Sequence, residues 1–345
     1  MIKLTKRQLN ILEFIRKSGG AGNQEIGREI KGVSHATIVR DLRILLNNDL
    51  IEQKGKGRSV YYQEKTKSDF LRYIDLDKYF EKETDERRLK FSGFNFDIFR
   101  DIKDIFISQE IKELKNINNR YRDKIKILSK GALKKEFERL TIELSWKSSK
   151  IEGNTYSLID TEILIKEQKE AAGHKREEAI MILNHKNALD YISGQRSDFK
   201  RITISKIENI HNLIINGLGI ESGLRKSQVR IIGTQYLPLD NQHQIREAME
   251  KAAKKINNFK DPFSKALFAI IAISYIQPFI DGNKRTSRLV GNALLMANNI
   301  CPLSFRSVDE TEYKKSMIVF YEQNNLRAFK DLFTEQFKFA VENYF

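Results

Sequence analysis

Residues 277–288 read Gln-Pro-Phe-Ile-Asp-Gly-Asn-Lys-Arg-Thr-Ser-Arg, and these types at this spacing suit phosphate handling. Pro278 should break the helix before it, Gly282 and Asn283 fit a tight turn, and a new helix is expected near Lys284. Such a turn, feeding a helix N-terminus, offers backbone N–H groups to an anion. Arg285 and Arg288 are three apart on one helical face, where both guanidinium forks can reach phosphate oxygens. Asp281, beside them, is placed to hold Mg²⁺ bridging two phosphates. The plainer alternative is a helix–turn–helix core with surface arginines.

The whole string resembles the Fic family motif, HPFx[D/E]GN[G/K]RxxR, at every specified position but the first. Fic proteins mostly transfer AMP from ATP to a protein hydroxyl. The resemblance implies ATP and Mg²⁺ as ligands, with Asp281 on the metal and Gly282, Asn283 and Lys284 at the nucleotide. Arg285 and Arg288 would bind phosphates, Arg288 nearest the γ-phosphate, and Phe279 would pack in the core to fix the loop. Upstream, Ser148 to Asn154 is similar to the family's inhibitory pattern [S/T]xxxE[G/N], through Ser148, Glu152 and Gly153. That pattern implies Glu152 set against Arg288, blocking the γ-phosphate; read plainly, Glu152 is a helix-end carboxylate before a glycine. Residues 227–238, with Val229, Arg230, Ile231, Ile232 and Gly233 at their centre, read as a β-hairpin. They resemble the family's flap, which implies a target protein laid alongside by strand pairing. Gly223 to Arg225 match the loop that precedes the flap.

The departure is Gln277, where the family has histidine. A general base needs a lone pair whose pKa is useful near neutrality, and losing a positioned base typically costs ~10²–10⁴ in rate. An amide accepts a hydrogen bond but has essentially no basicity. Phosphate and metal binding need none of that chemistry. The histidines at 174, 185, 211 and 243 share this half of the chain, and the sequence places none of them at the reacting phosphate.

These residues need a scaffold. Ala266 to Ile276 is an uninterrupted apolar run, too short to span a bilayer and fit for a buried helix. From about Asp97 the patterning is strongly helical: Ile98–Phe106, Gln109–Tyr121 and Lys134–Lys150. Residues 66–96 read as a charged connector with short helical turns. Before it, residues 5–18 form an amphipathic pattern that Gly19 and Gly20 end. A short helix fits Asn23–Ile30, and a third begins after Ser34 as N-cap and runs to about Asn47, with Ile38, Leu42, Leu45 and Leu46 inward. His35, Thr37, Arg40, Asp41 and Arg43 are expected toward solvent or the flanks. Residues 50–62 then read as strand, glycine-rich turn and strand, with Lys54, Lys56 and Arg58 at the tip.

Three helices and a basic hairpin resemble the winged helix-turn-helix family. The resemblance implies double-stranded DNA as partner, met by Ser34, His35, Thr37 and Arg40 in the major groove and by the wing cations on phosphates. The same scaffold also serves in protein docking. The first 65 residues carry 13 Lys and Arg against 7 Asp and Glu, concentrated where DNA would lie.

The chain has 345 residues and a formal charge of +15, which favours anionic partners. Only 4 prolines and 18 glycines point away from an all-β design. A single cysteine, Cys301, leaves no internal disulfide or cysteine cage for zinc, and five histidines make a His-rich metal site a poor reading. No secretory signal or membrane span is visible, so the expected location is cytoplasmic.

The resulting expectation is a mostly α chain with a winged helix (α+β) over 1–65 and a connector over 66–96. A Fic-like helical domain follows over 97–345, with an inhibitory helix at about 140–154 and a small β-hairpin flap. In function it is a homodimeric transcriptional regulator whose Fic domain binds ATP and Mg²⁺ but is catalytically impaired. The alternative is an auto-inhibited protein adenylyltransferase.

Overall fold

The computed structural model describes residues 4–65 and 68–345, without the Arg58 side chain. The chain divides into two units: residues up to Arg87 together with Asn325–Ala328, and Arg88–Asn324 together with Phe329–Phe345.

In the first unit, α1 (Lys6–Lys17), β1 (Ala21–Gly22), α2 (Asn23–Glu29) and α3 (His35–Asn47) precede β2 (Ile51–Lys54) and β3 (Tyr61–Glu64). The strands form one antiparallel sheet in the order β1-β3-β2, with Ile51 opposite Glu64 and Ala21 opposite Tyr62. Thr5 and Gln8 close a capping box on α1, and the Ser34 hydroxyl accepts from Thr37 N–H to start α3. Apolar residues at helical spacing (Ile11, Leu12 and Ile15 with Ile38, Leu42 and Leu45) meet in one core with Ile51 and Tyr62. Asp41 corrects the outward reading of α3: it is 2% exposed and binds Arg7 Nε at 2.5 Å and Gln8 Nε2 at 2.9 Å. Burial opposes the Asp41 charge, but hydrogen bonds from Arg7 and Gln8 hold its carboxyl below the usual range. After the sheet, α4 (Leu76–Phe80) is flanked by two short 3₁₀ turns.

The second unit is helical: α5 (Ile98–Asp101), α6 (Ser108–Ile127), α7 (Lys130–Ile151), α8 (Leu158–Glu167), α9 (Arg176–Gly194), α10 (Ile204–Ile215), α11 (Gln242–Asn258), α12 (Pro262–Ile276), α13 (Asn283–Ala297), α14 (Glu310–Gln323) and α15 (Arg327–Asn343). The expected helix from Ile98 to Phe106 stops at Asp101. At the centre lies α12, begun by Asp261 as cap and Pro262 in the first turn, and buried on all sides from Ala266 to Ile276. It pairs with α13, and α7, α9, α10 and α14 pack around the pair. The two helices touch at Gly291, where a Cβ would lie 2.7 Å from Ile270. The loop between them carries the 277–288 string.

The expected flap hairpin is absent. Residues 227–238 form a turn at Ile232-Gly233 but no strand. The second limb is held elsewhere: Leu237 N–H donates to Ser92 at 2.8 Å and Thr234 donates to Glu322 at 2.6 Å.

Candidate phosphate-binding site

Helix α12 ends at Gln277, whose backbone is left-handed (φ 50°). Its side-chain amide is held at both ends, donating to the Ser274 carbonyl at 2.6 Å and accepting from Asn283 Nδ2 at 3.0 Å. Asn283 also closes the turn on Phe279, accepting from its N–H at 2.8 Å and donating to its carbonyl at 2.8 Å. The Asn283 side chain therefore shapes the loop. Gly282 sits at φ +79°, and a Cβ there would come within 3.3 Å of Ile214.

Beneath the loop, buried Phe279 stacks on His211 with ring centroids 3.7 Å apart. His211 Nε2 donates to the Asp281 carbonyl at 3.0 Å. Burial drives the His211 pKa down to about 4, so the ring is neutral near pH 7. From the other side Arg225 donates from Nε to the Gln277 carbonyl at 2.6 Å and from its backbone to the Pro278 carbonyl at 3.0 Å. The loop is braced at both ends.

Asp281 points outward, 62% exposed, with Arg285 Nη2 3.1 Å from its carboxylate. Arg288 is wholly buried, donating to Ser148 Oγ at 2.9 Å, to the Ser148 carbonyl at 2.9 Å and to Glu152 Oε1 at 2.8 Å. Lys284 Nζ stands 3.7 Å from the other Glu152 oxygen. Burial opposes the Glu152 charge, but Arg288 and Lys284 together hold its carboxyl below the ordinary range. Nη1 of Arg285 and Nη1 of Arg288 are buried without any hydrogen-bond partner.

These groups border a cleft of about 420 Å³, within the range of small-molecule sites. Glu152, Gly153, Val229, Arg230, Ile231, Ile232, Gln277, Asp281, Gly282, Asn283, Lys284 and Arg285 line it. Ser148 and Gly233 lie outside the lining, and Arg288 lies behind Glu152. Sequence reading missed the wall opposite, where Tyr313, Met317 and Tyr321 recur every four residues on one face of α14. That stripe was visible, but nothing in it distinguishes a cleft wall from a core face. No described histidine lines the cleft. His243 is exposed, and His174 bonds Thr155. His185 is fully buried, with its pKa pushed well down by burial and by Arg288 and Arg285.

The Fic/DOC family model matches residues 201–295, which hold α10 to α12 and most of α13. Those residues carry the match to the Fic/DOC domain family. The chain is 30% identical over 206 residues to the protein adenylyltransferase Fic of Nematostella vectensis, covering 56% of this chain and 46% of that one. It is 27% identical over 218 residues to the protein of the same name from Drosophila melanogaster, covering 61% and 44%. The chain thus spans less than half the length of these relatives. Two solved structures share the Fic fold. Fic-1 from C. elegans superposes with a TM-score of 0.57 at 19% identity, over 69% of this chain and 71% of that one. A Fic domain containing signaling protein from Bacteroides thetaiotaomicron superposes with a TM-score of 0.56 at 18% identity, over 67% and 94%.

In the first unit, His35 and Arg40 are exposed on α3, while the Ser34 and Thr37 hydroxyls bond each other at 2.9 Å. Lys56 is exposed at the hairpin tip, and Lys54 lies 3.0 Å from Glu52. The Arg58 side chain lies outside the described part. No described helix is long and apolar enough to cross a membrane.

Proposed function

We propose that the Fic cleft binds ATP, that Glu152 restrains this binding, and that the site is impaired in AMP transfer by Gln277. The observation that carries the reading is the Arg288–Glu152 pair at 2.8 Å. A carboxylate on that guanidinium occupies the position a terminal phosphate would take, and repels it. Phosphate fits the rest of the site. Arg285 Nη1 lacks an acceptor, Lys284 is cationic, and the first turn of α13 leaves N–H groups without partners inside the helix. Mg²⁺ fits Asp281, since this ion binds through one or two carboxylates together with substrate phosphates and water. When bound it would neutralise charge between phosphates.

Chemistry is the weak point. Both amide ends of Gln277 are occupied within the loop, and neither could accept a hydroxyl proton. A second reading, the auto-inhibited adenylyltransferase, is favoured by the names of the relatives. Incubation with labelled ATP and Mg²⁺ separates the two. Self-labelling by the unaltered protein supports the enzyme, and binding without labelling supports the impaired site. A target protein would meet the cleft along Val229–Ile232.

The first unit is proposed to bind double-stranded DNA as part of a homodimeric regulator. Its three helices, its sheet and the exposed His35, Arg40 and Lys56 support this reading. Retention on duplex DNA at low salt, lost at high salt, tests it.

A further inference from the structure

Helix α7 leads at its C-terminal end into Ser148 and Glu152, and the same helix is fastened further back to residues 343–345. Glu143, 5% exposed, accepts from the Tyr344 hydroxyl on one oxygen and from Arg306 Nη1 at 2.8 Å on the other. Arg139, a turn earlier, lies 4.6 Å from the Tyr344 ring centroid and donates to the Asn343 carbonyl. Glu136 accepts from the Phe345 N–H at 3.3 Å, and the Phe345 ring meets Phe137 at 4.7 Å. On the same face Lys147 pairs with Glu310 at the start of α14. Glu136, Arg139, Glu143 and Lys147 follow the three-and-four spacing of one helical stripe, and each is engaged.

None of these four residues lines the cleft, so ligand contact does not account for a buried carboxylate at position 143. Burying a charge costs stability, and a buried ionic contact is best understood where it fixes one arrangement over others. Here the arrangement fixed is the placement of α7. The helix is continuous from Lys130 to Ile151, so what holds it at Glu143 also sets where Glu152 stands.

We propose that the Glu143–Tyr344 contact is a latch that keeps Glu152 on Arg288, making residues 343–345 the handle through which nucleotide access is regulated. The inference rests on the reading that Glu152 and a phosphate compete for Arg288. Glu143 and Tyr344 are positioning residues, acting through α7.

The test uses the full chain with Tyr344→Phe, which removes one hydroxyl and leaves the ring packed. Glu143→Gln, nearly isosteric, is the second variant should the first lose its fold. Amide hydrogen exchange should speed up at residues 146–153 by roughly tenfold, as for removal of a charge-assisted hydrogen bond, while α13 keeps its protection. ATP affinity by calorimetry should rise severalfold, and the rise should vanish in a Glu152→Gly background, because the latch acts only through that carboxylate. Unchanged exchange at 146–153 in both variants overturns the latch. Faster exchange with unaltered ATP affinity, where Glu152→Gly alone tightens ATP, overturns its regulatory role. Faster exchange with no ATP binding in any variant keeps the latch and rejects the nucleotide reading on which regulation depends.

Discussion

Gln277 and Asn283 are joined by a 3.0 Å hydrogen bond that spans the loop between α12 and α13. The residue standing where the Fic motif has histidine therefore serves as a brace, accepting from Asn283 and donating to the Ser274 carbonyl. Gln277→His should loosen the loop, costing about 1–2 kcal/mol for the two hydrogen bonds it breaks. Thermal unfolding of the second unit would show the cost as a lowered midpoint. Combined with Glu152→Gly, the same change should give strong AMP labelling from ATP. Neither change alone should do so. Strong transfer by Glu152→Gly by itself would show that another base operates.

Glu152→Gly removes the competitor at Arg288, and ATP should bind roughly tenfold tighter or more, a coupling of the size seen between linked sites. Titration calorimetry with and without the substitution measures it. Equal affinities would refute the competition.

Acid should weaken the second unit through His211. Its pKa, about 4 when folded, lies below the ordinary value of 6.5, so between those limits the unfolded chain binds the proton and the folded one does not. The stabilisation is complete above about pH 6.5 and is lost as pH falls toward 4, amounting to about 3 kcal/mol. His185, also depressed, acts in the same direction. Urea unfolding of His211→Gln between pH 7 and pH 4 should be less pH-dependent than that of the unaltered protein. An identical pH dependence would mean that folding leaves the His211 pKa at its ordinary value.

Replacing Lys54, Lys56 and Arg58 together with alanine should weaken binding to every duplex. It should also reduce the salt slope by up to about 3, near 0.9 for each phosphate no longer neutralised. Arg40→Ala should instead change which sequences are preferred. Fluorescence anisotropy over a salt series reads both effects. If neither substitution alters retention, the first unit docks protein.

Much of the frame was legible because local rules decide it. The apolar run of α12, the Ser34 cap and the Gly282 turn are each dictated by a few neighbouring residues. What escaped depends on partners distant in the chain. Asp41 looks like a surface acid between Arg40 and Leu42, and only the approach of Arg7 and Gln8 from α1 makes its burial tolerable. The 227–238 segment alternates like a hairpin, yet its second limb finds Ser92 and Glu322 before its own first limb. Tyr313 and Tyr321 carry a helical period, and folding alone decides that the period faces a cleft.

Arg225 donates to the Ser227 carbonyl at 2.7 Å and to the Leu239 carbonyl while bracing Gln277, so one side chain fixes both ends of the cleft's outer border. Every one of those acceptors is a backbone oxygen, indifferent to the side chains between. Ile232, 98% exposed at the apex, contributes nothing to that frame. The exposed positions of this stretch, Gln228, Arg230 and Ile232, thus form an exchangeable set that grafting or library selection can rewrite while the loop between α12 and α13 keeps its shape.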